Sequence, residues 1–252
     1  MKRLDIARII IVCLISVGSF LLAQGVTFPG EPSQAPIGGL GWLAVLGGAL
    51  AYKKLRNKKY DVVIHLAANA AIREALENPD AFWENNVVKS KPIFDYCRDN
   101  DIRCLYASSA SVYEWWMNPY AISKKVNEIQ APPNSVGMRF FNVYAEKVSR
   151  PDMLYRMLED KTATYLTRHK RDWIHVDDVV FAIATLIPTT YTGVIDVGTG
   201  NPVAVLDLAM KMGMGHLPIK EDTPGERDIT CADTTELRKL GWMPTINILD
   251  TV

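Results

Sequence analysis

One short segment, residues 61–68, most constrains the fold that this sequence can adopt. It reads DVVIHLAA, a nearly unbroken apolar run that ends in small residues. Such a run is typical of a strand buried on both faces of a parallel sheet. Strands predicted at 102–107, 136–144, 173–176 and 194–197 alternate with helices predicted at 70–99, 119–130, 151–159 and 177–186. The alternation predicts an α/β fold with a doubly wound parallel sheet, in which ligands bind at the carboxyl ends of the strands.

The charges divide the chain into two parts. Lys and Arg total 28, and Asp and Glu also total 28, so the formal net charge is zero. A zero net charge argues against a general nucleic-acid-binding protein, because such binding needs a basic surface. Residues 1–59 contain eight basic and two acidic side chains and carry +6, so the remaining 193 residues carry −6. We therefore expect residues 1–59 and residues 60–252 to have different roles.

Residues 1–59 have the pattern of a leader. A basic start precedes an uncharged run at 9–23, a polar segment at 24–36 and a second apolar run at 37–52, which ends at a lysine-rich cluster. This order predicts a signal-like leader or a membrane anchor, with attachment to a membrane through residues 9–52. The positive-inside rule places both basic flanks in the cytoplasm. The body at 60–252 is therefore expected in the cytoplasm, at the inner face of the membrane.

Two other interpretations of the second apolar run stay open. Gly38, Gly41 and Ala44 fit a GxxGxxA dinucleotide-binding loop, which would set a pyrophosphate at a helix N-terminus. Such a loop follows a buried strand, whereas prolines and a glutamate precede this one, and no acidic residue follows at the end of a second strand. The run is also compatible with a buried helix.

The four cysteines do not indicate a site. They form no CxxC pair and no Cys/His group at zinc-ligand spacing, so no metal site is predicted. Reduced thiols are expected, which is compatible with a cytoplasmic body.

The chemical signal is a tyrosine and a lysine four residues apart. Tyr120 and Lys124 lie in the predicted helix at 119–130, where residues i and i+4 share a face. A nearby ammonium favours the phenolate, so Lys124 is expected to lower the pKa of Tyr120 and to make it a proton shuttle for a sugar hydroxyl. Ser109 lies eleven residues before Tyr120 on a strand-end loop, where its hydroxyl can bind the same substrate oxygen.

Several further motifs match one enzyme family. They are HLAA at 65–68, ENNV at 84–87, SSASVY at 108–113, NPY at 118–120 with Lys124, RFFNVY at 139–144, RDWIHVDD at 171–178, DVGTG at 196–200 and LGWMP at 240–244. As a set they resemble the extended short-chain dehydrogenase/reductase family. Within it they are most similar to the NAD-dependent epimerase/dehydratase group that acts on nucleotide sugars, such as UDP-glucose 4-epimerase. The resemblance is collinear over residues 60–245.

The resemblance implies a Rossmann-like fold for residues 60–252, incomplete at the N-terminus, with a small substrate-binding part mainly at 143–252. It implies NAD as the cofactor and a nucleotide sugar, preferably a UDP-sugar, as the substrate. Tyr120 would be the acid/base, Lys124 a ribose ligand that also tunes the pKa, and Ser109, with Ser111 as a helper, would polarise the hydroxyl. The other implied site residues are Ala67, Ala68, Asn86 and Phe141 toward the cofactor, and Asn142, Arg171 and Arg227 toward the substrate.

Some of these residues carry more specific expectations. Arg171 would pair with the nucleotide diphosphate, for which a forked guanidinium is suited. Asn86 would support the strand ends. His175 is expected to be a structural hydrogen-bonding residue, and Trp115 and Trp116 either form a pocket wall or pack against the protein.

The sequence also departs from the family pattern. An N-terminal cofactor unit with its GxxGxxG loop is not recognisable. The residues at 110–111 are Ala-Ser where sugar dehydratases have Asp-Glu, which favours an epimerase. Glu114 replaces a glycine that usually follows Val-Tyr, and Thr223 stands where an arginine often precedes Pro-Gly-acid, so Arg227 is a candidate replacement.

Three hypotheses follow. The first is an NAD-dependent nucleotide-sugar epimerase that oxidises the sugar transiently, with isomerase chemistry favoured over lyase chemistry. The second is a non-catalytic, membrane-attached protein that binds a nucleotide sugar but lacks the dinucleotide loop. The third treats residues 1–59 and the body as a join of unrelated segments. A homodimer is compatible with the first hypothesis.

Overall fold

Five parallel strands form the central sheet of the protein. The computed structural model describes residues 9–12, 60–221 and 223–252. Numbered along the chain, the strands are β1 (Ile9–Val12), β2 (Val62–His65), β3 (Arg103–Ser109), β4 (Ser135–Phe140), β5 (Asn142–Tyr144), β6 (Lys170–Arg171), β7 (Trp173–His175), β8 (Gly193–Val197) and β9 (Val203–Ala204). The main sheet has the order β1-β2-β3-β4-β8, and every pair in it is parallel. The predicted α/β class is therefore confirmed.

Helices connect these strands. They are α1 (Ile72–Glu77), α2 (Pro79–Trp83), α3 (Lys91–Asp99), α4 (Pro119–Gln130), α5 (Leu154–Glu159), α6 (Val176–Leu186), α7 (Val205–Lys211) and α8 (Thr235–Lys239). A π-helical turn at Glu84–Val88 and a 3₁₀ segment at Ala110–Met117 complete the connections before and after β3. The predicted bounds of α4 are confirmed. Pro119 occupies its first turn, and the Asn118 side chain caps it by accepting a hydrogen bond from the Ala121 amide at 2.8 Å.

Both faces of the sheet are covered, as the apolar run at 61–68 predicts. Alternate side chains of each strand point to opposite faces. Val62, Ile64 and Leu105 pack on one face against side chains of α6, including Val179, Ala182 and Leu186. On the other face Val63, Cys104 and Tyr106 pack against Phe94 and Cys97 of α3.

The first strand was not predicted. Ile9–Val12 pairs in parallel with Val62–His65, with Ile9 opposite Val62 and Val12 opposite His65. These four residues lie within the predicted leader, yet they form a strand of the main sheet. The rest of the predicted leader, with its membrane-attachment segment and the glycine pattern at 38–44, lies outside the described residues. Among the residues that the structure describes, no helix is long and apolar enough to span a membrane.

The strand predicted at 136–144 is divided in two. Ser135–Phe140 belongs to the main sheet, whereas Asn142–Tyr144 pairs with Trp173–His175 in a separate two-stranded sheet. The chain leaves the main sheet at Phe141, whose amide donates to the Val197 carbonyl at 3.2 Å, and the next amide donates to the Asp172 carbonyl at 2.9 Å. The sequence does not reveal this division, because the residues before and after Phe141 both have the composition of a buried strand.

Two buried carboxylates attach the C-terminal segments to the sheet. Asp178 at the start of α6 accepts hydrogen bonds from the Thr245 amide and hydroxyl and from the Ile246 amide, at 2.8–3.1 Å. Asp172 is fully buried and accepts bonds from the amides of Thr199, Gly200 and Ala232 at 2.7–2.9 Å, and from the Thr199 hydroxyl at 2.7 Å. The Asp172 contacts join the RDWIHVDD motif to DVGTG, and Trp242 Nε1, which donates to the Asp178 carbonyl at 3.0 Å, joins it to LGWMP.

We expect Asp172→Ala to be strongly destabilising. The substitution leaves several buried donors without an acceptor, which should lower the free energy of unfolding by about 3–5 kcal/mol. Asp207→Ala is the control, because Asp207 is exposed in the first turn of α7 and should cost less than about 1 kcal/mol. Chemical denaturation measures both values. Equal losses in the two variants would contradict the anchoring role of Asp172.

Candidate active site

A cleft of about 770 Å³ opens where β3 and β4 end. The 3₁₀ segment, the start of α4, and loops around residues 150–154 and 225–227 form its walls. The predicted site residues that line it are Ser109, Ser111, Tyr120, Phe141, Asn142, Arg171 and Arg227. The other predicted site residues, Lys124, Asn86, Ala67 and Ala68, do not line this cleft.

Ser109, Ser111 and Tyr120 all line the cleft with side chains that carry a hydroxyl group. Ser109 is the last residue of β3, and its hydroxyl accepts a hydrogen bond from the Ser111 amide at 3.2 Å and lies 3.3 Å from the Ser111 hydroxyl. Tyr120 is the second residue of α4 and lines the same cleft as Ser109, whose hydroxyl opposes the rise in the pKa of the phenol. The ring of Phe82 meets the Tyr120 ring edge-on, with 6.3 Å between centroids. The strand end and the capped helix together fix this group.

The pKa of Tyr120 depends on burial and on two neighbouring side chains. Burial raises it above its ordinary value, while the hydrogen bond with Ser109 and the positive charge of Arg150 oppose the rise. The expected effect of Lys124 on this pKa stays a prediction. Arg150 was missed, since it lies in a loop with no motif signal, although it also lines the cleft.

Lys124 is buried beneath the cleft. The residue is only 2% exposed, and its Nζ donates a hydrogen bond to the carbonyl of Ala107 at 2.8 Å. Nζ lies 6.0 Å from the centroid of the Tyr120 ring. Burial lowers the pKa of Lys124 to about 7. The neighbouring His65 stays neutral, because burial, and then the charge of Lys124, lower its pKa to about 3.

The loop after β2 is joined to α4 through Asn86. The Asn86 side chain accepts from the Asn69 amide at 2.8 Å and donates to the Asn69 carbonyl and to the Ser123 hydroxyl, both at 3.0 Å. The Ser123 hydroxyl in turn donates to the Tyr120 carbonyl at 2.7 Å. Asn86 is completely buried, so its geometry supports the expected role at the strand ends and not direct contact with a ligand.

The cofactor side has features that fit a dinucleotide. Ala67 and Ala68 follow the carboxyl end of β2 and are partly exposed, so they present small side chains where a ligand can approach closely. Among the described residues, Ala107 is the one hydrogen-bond acceptor of the Lys124 ammonium, which leaves two of its three N–H donors for a ligand. A buried ammonium with unused donors fits a group that is rich in hydroxyls, such as the ribose of NAD.

The arginines predicted for the substrate are already engaged. Arg171 donates to the carbonyl of Arg227 and to His169 Nδ1, each at 2.6 Å, and to the carboxylate of Glu226 at 3.3 Å. Glu226 also pairs with Arg73 of α1 at 3.1 Å. Glu226 therefore joins two walls of the cleft, and no single motif in the sequence indicated this.

The remaining expectations concern residues at the margin. His175 caps α6 by accepting from the Asp177 amide at 3.2 Å, and its Nε2 lies 3.1 Å from the Glu146 carboxylate, which matches a structural role. Trp115 and Trp116 are 43% and 64% exposed and pack edge-on against each other at 6.0 Å. Neither lines the cleft, so the pocket-wall interpretation is wrong for the described cleft.

Comparison with known proteins identifies the family. The family model described as "NAD dependent epimerase/dehydratase family" matches residues 44–198. The chain belongs to this family. Its membership confirms the predicted relation to extended short-chain dehydrogenases/reductases and to NAD-dependent chemistry. The match begins ahead of residue 60, so the family likeness starts inside the predicted leader.

Individual relatives agree with the family. A 37.6 kDa protein of Escherichia coli O111:H- is 32% identical over 239 residues, covering 72% of this chain and 70% of that one. UDP-glucuronate 4-epimerase 1 of Arabidopsis thaliana is 28% identical, covering 81% of this chain and 61% of that one. The solved structure of UDP-glucuronic acid 4-epimerase from Bacillus cereus, in complex with UDP-glucuronic acid and NAD, has a TM-score of 0.68 at 22% identity and covers 79% of this chain and 74% of that one. The likeness to this structure concerns the fold.

The buried lysine predicts a specific dependence of stability on pH. In the unfolded chain Lys124 keeps its proton up to its ordinary pKa of 10.5, whereas in the folded protein Lys124 loses the proton at a pH of about 7. Between these values the unfolded state binds more protons, so stability rises with pH. We expect the free energy of unfolding of the wild type, relative to Lys124→Met, to rise by on the order of 3 to 5 kcal/mol from pH 7 to 10.5.

Lys239→Met is the control for this measurement. Lys239 is exposed, and its hydrogen bond and ion pair with Glu236 raise its pKa, so the corresponding difference should show no rise over this range. Denaturant titrations at several pH values give both curves. A difference in the free energy of unfolding between wild type and Lys124→Met that does not change with pH would contradict the lowered pKa of the buried ammonium.

Proposed function

We propose that this family member is a nucleotide-sugar epimerase that oxidises the sugar transiently and acts on a UDP-sugar. The supporting observation is that Tyr120 and Ser109 line one cleft, with the buried Lys124 Nζ 6.0 Å from the centroid of the Tyr120 ring. A phenol and a serine hydroxyl on one substrate oxygen suit the removal and return of a hydroxyl proton.

The chemistry divides among the chain's own residues. Tyr120 Oη takes the proton of the reacting sugar hydroxyl and later returns it. The Ser109 hydroxyl, held by the Ser111 amide, keeps that oxygen in position. Arg150 opposes the rise in the pKa of Tyr120 that burial causes, which brings proton transfer closer to neutral pH.

NAD supplies a hydride acceptor, and then a hydride donor, when it is bound. Lys124 would hold its ribose with the ammonium donors that Ala107 leaves unused. Ala67, Ala68 and Phe141 would line it, and Asn86 would keep the loop after β2 in place through Asn69.

The other end of the cleft suits the nucleotide diphosphate. Arg171 is nearly buried at the cleft wall, and Asn142 and Arg227 line the same cleft. Glu226 shares Arg171 with the incoming phosphates, so binding has to displace or rearrange this carboxylate. We assign residues 143–252 mainly to this end, since they have a core of their own around Tyr144, Tyr155 and Leu208.

Isomerase chemistry is favoured over elimination. A sugar dehydratase of this family has an acidic pair directly after its catalytic hydroxyl residue, whereas Ala110 and Ser111 stand there in this chain. Ser111 lines the cleft without a charge that could remove a carbon-bound proton.

The proposal is tested by titrating the full chain with NAD⁺ and then assaying epimerisation of UDP-sugars. We expect binding of NAD⁺ and turnover, and we expect Tyr120→Phe to lower kcat by about 10²–10⁴-fold while the protein still binds UDP-sugar. Tyr191→Phe is the control, because the Tyr191 hydroxyl donates to the Val194 carbonyl outside the cleft and its loss should leave kcat nearly unchanged.

Two results would contradict this proposal. Equal activity of wild type and Tyr120→Phe would remove Tyr120 from proton transfer. Binding of UDP-sugar without any binding of NAD⁺ or turnover would instead support the second hypothesis, a nucleotide-sugar-binding protein without catalysis.

A further inference from the structure

Charged side chains line the cleft in equal numbers of each sign. Among the described residues, the cationic ones are Arg73, Arg150, Arg171 and Arg227, and the anionic ones are Glu74, Glu114, Asp152 and Glu226. Every one of these arginines lies within 3.5 Å of a carboxylate. His169 adds no charge, because burial lowers its pKa. The charges that line the cleft are therefore balanced in number, with Arg73 and Arg171 sharing the carboxylate of Glu226.

One of these pairs joins two departures from the family pattern. Glu114 replaces a usual glycine, Arg227 is the candidate for a missing arginine, and the structure brings them together, with Arg227 Nε 3.5 Å from Glu114 Oε2. This is an electrostatic contact and not a hydrogen bond, since the buried Nε has no hydrogen-bond partner in the described part of the chain. Both side chains keep some exposure to the cleft, 38% for Glu114 and 25% for Arg227.

The position of the pair is fixed from several sides. The Arg227 guanidinium lies 5.6 Å from the centroid of the Tyr113 ring, and the Tyr113 hydroxyl lies 2.8 and 2.9 Å from the two carboxylate oxygens of Asp196. The Asn118 side chain, which caps α4, donates to the carbonyl of Gly225 at 2.9 Å. The loop that carries Arg227 is therefore attached to the start of the helix that carries Tyr120.

The pair is connected to Ser111 along the chain and to Arg171 by a hydrogen bond. Glu114 follows Ser111 by three residues, at a kink where the 3₁₀ segment is interrupted, and both residues line the cleft. The Arg227 carbonyl accepts a hydrogen bond from Arg171 at the phosphate end. A sugar whose hydroxyl reaches Ser109 and Tyr120, and whose diphosphate reaches Arg171, occupies the same cleft as this pair.

We propose that Glu114, paired with Arg227, selects an uncharged sugar over one that carries a carboxylate. The inference rests on the proposed binding of a nucleotide sugar. Glu114 repels an anionic substituent, and it also neutralises the cation that would otherwise attract one. Arg150, which also lines the cleft, has Asp152 at 3.0 Å to balance part of its charge. A carboxylate and a guanidinium side by side still offer an acceptor and donors to sugar hydroxyls.

The test is calorimetric titration of the full chain, with its cofactor, with UDP-glucose and UDP-glucuronate. These ligands share the nucleotide and differ in the charge on the sugar, so the ratio of their Kd values isolates the contribution of that charge. We expect the wild type to bind UDP-glucose more tightly. Glu114→Gln should shift the ratio toward UDP-glucuronate by about tenfold, and Arg227→Gln should shift it in the opposite direction.

Controls separate the possible failures. Glu236→Gln removes an exposed glutamate that is paired with Lys239 at 2.7 Å far from the cleft lining, and it should leave the ratio unchanged. Titration with UDP alone tests the proposed nucleotide binding, so absence of binding there overturns the proposed function and the inference with it. If UDP binds and neither Glu114→Gln nor Arg227→Gln moves the ratio, the selectivity role is wrong. A preference of the wild type for UDP-glucuronate would overturn it equally.

Discussion

The candidate site depends on the burial of the Lys124 ammonium, which donates a hydrogen bond to the carbonyl of Ala107. It is buried at the junction of β3 and α4, with the carbonyl of Ala107 as its acceptor among the described residues. Burial of a charge with few partners costs stability, and the lowered pKa of Lys124, about 7, is the measure of that cost. A fold keeps such a group where function uses it, because apolar residues would pack there at lower cost.

The surrounding structure holds this group in place. Asn118 caps α4 and donates to the carbonyl of Gly225, so one side chain positions both this helix and the loop at 225–227. Asn86 connects the loop after β2 to Ser123 of the same helix. Asp172 gathers the segments around 199–200 and 232 behind the cleft. The parallel sheet provides one edge at which the strands end, and these polar contacts fix the helix and the loops that lie at this edge.

The sequence predicts the parts that depend on local pattern. The bounds of α4 follow from Pro119 and its cap, and the meeting of Ser109 with Tyr120 follows from a strand end next to a helix start. The charge of Arg150 beside Tyr120 does not follow, since the contact depends on the path of a loop. The pairing of Ile9–Val12 with β2 does not follow either, because a short apolar run fits a leader and an edge strand equally well.

The ligand-binding role that we propose for Lys124 rests on a buried ammonium with one protein acceptor, the Ala107 carbonyl, among the described residues. The most direct measurement is its titration by NMR, in full-length protein labelled at lysine Nζ, with and without NAD. We expect a pKa of about 7 in the protein alone and a rise toward the ordinary 10.5 when NAD is bound, as the ligand's hydroxyls accept the unused donors. A pKa near 10.5 in the protein alone, or a value that NAD leaves unchanged, would contradict the claim.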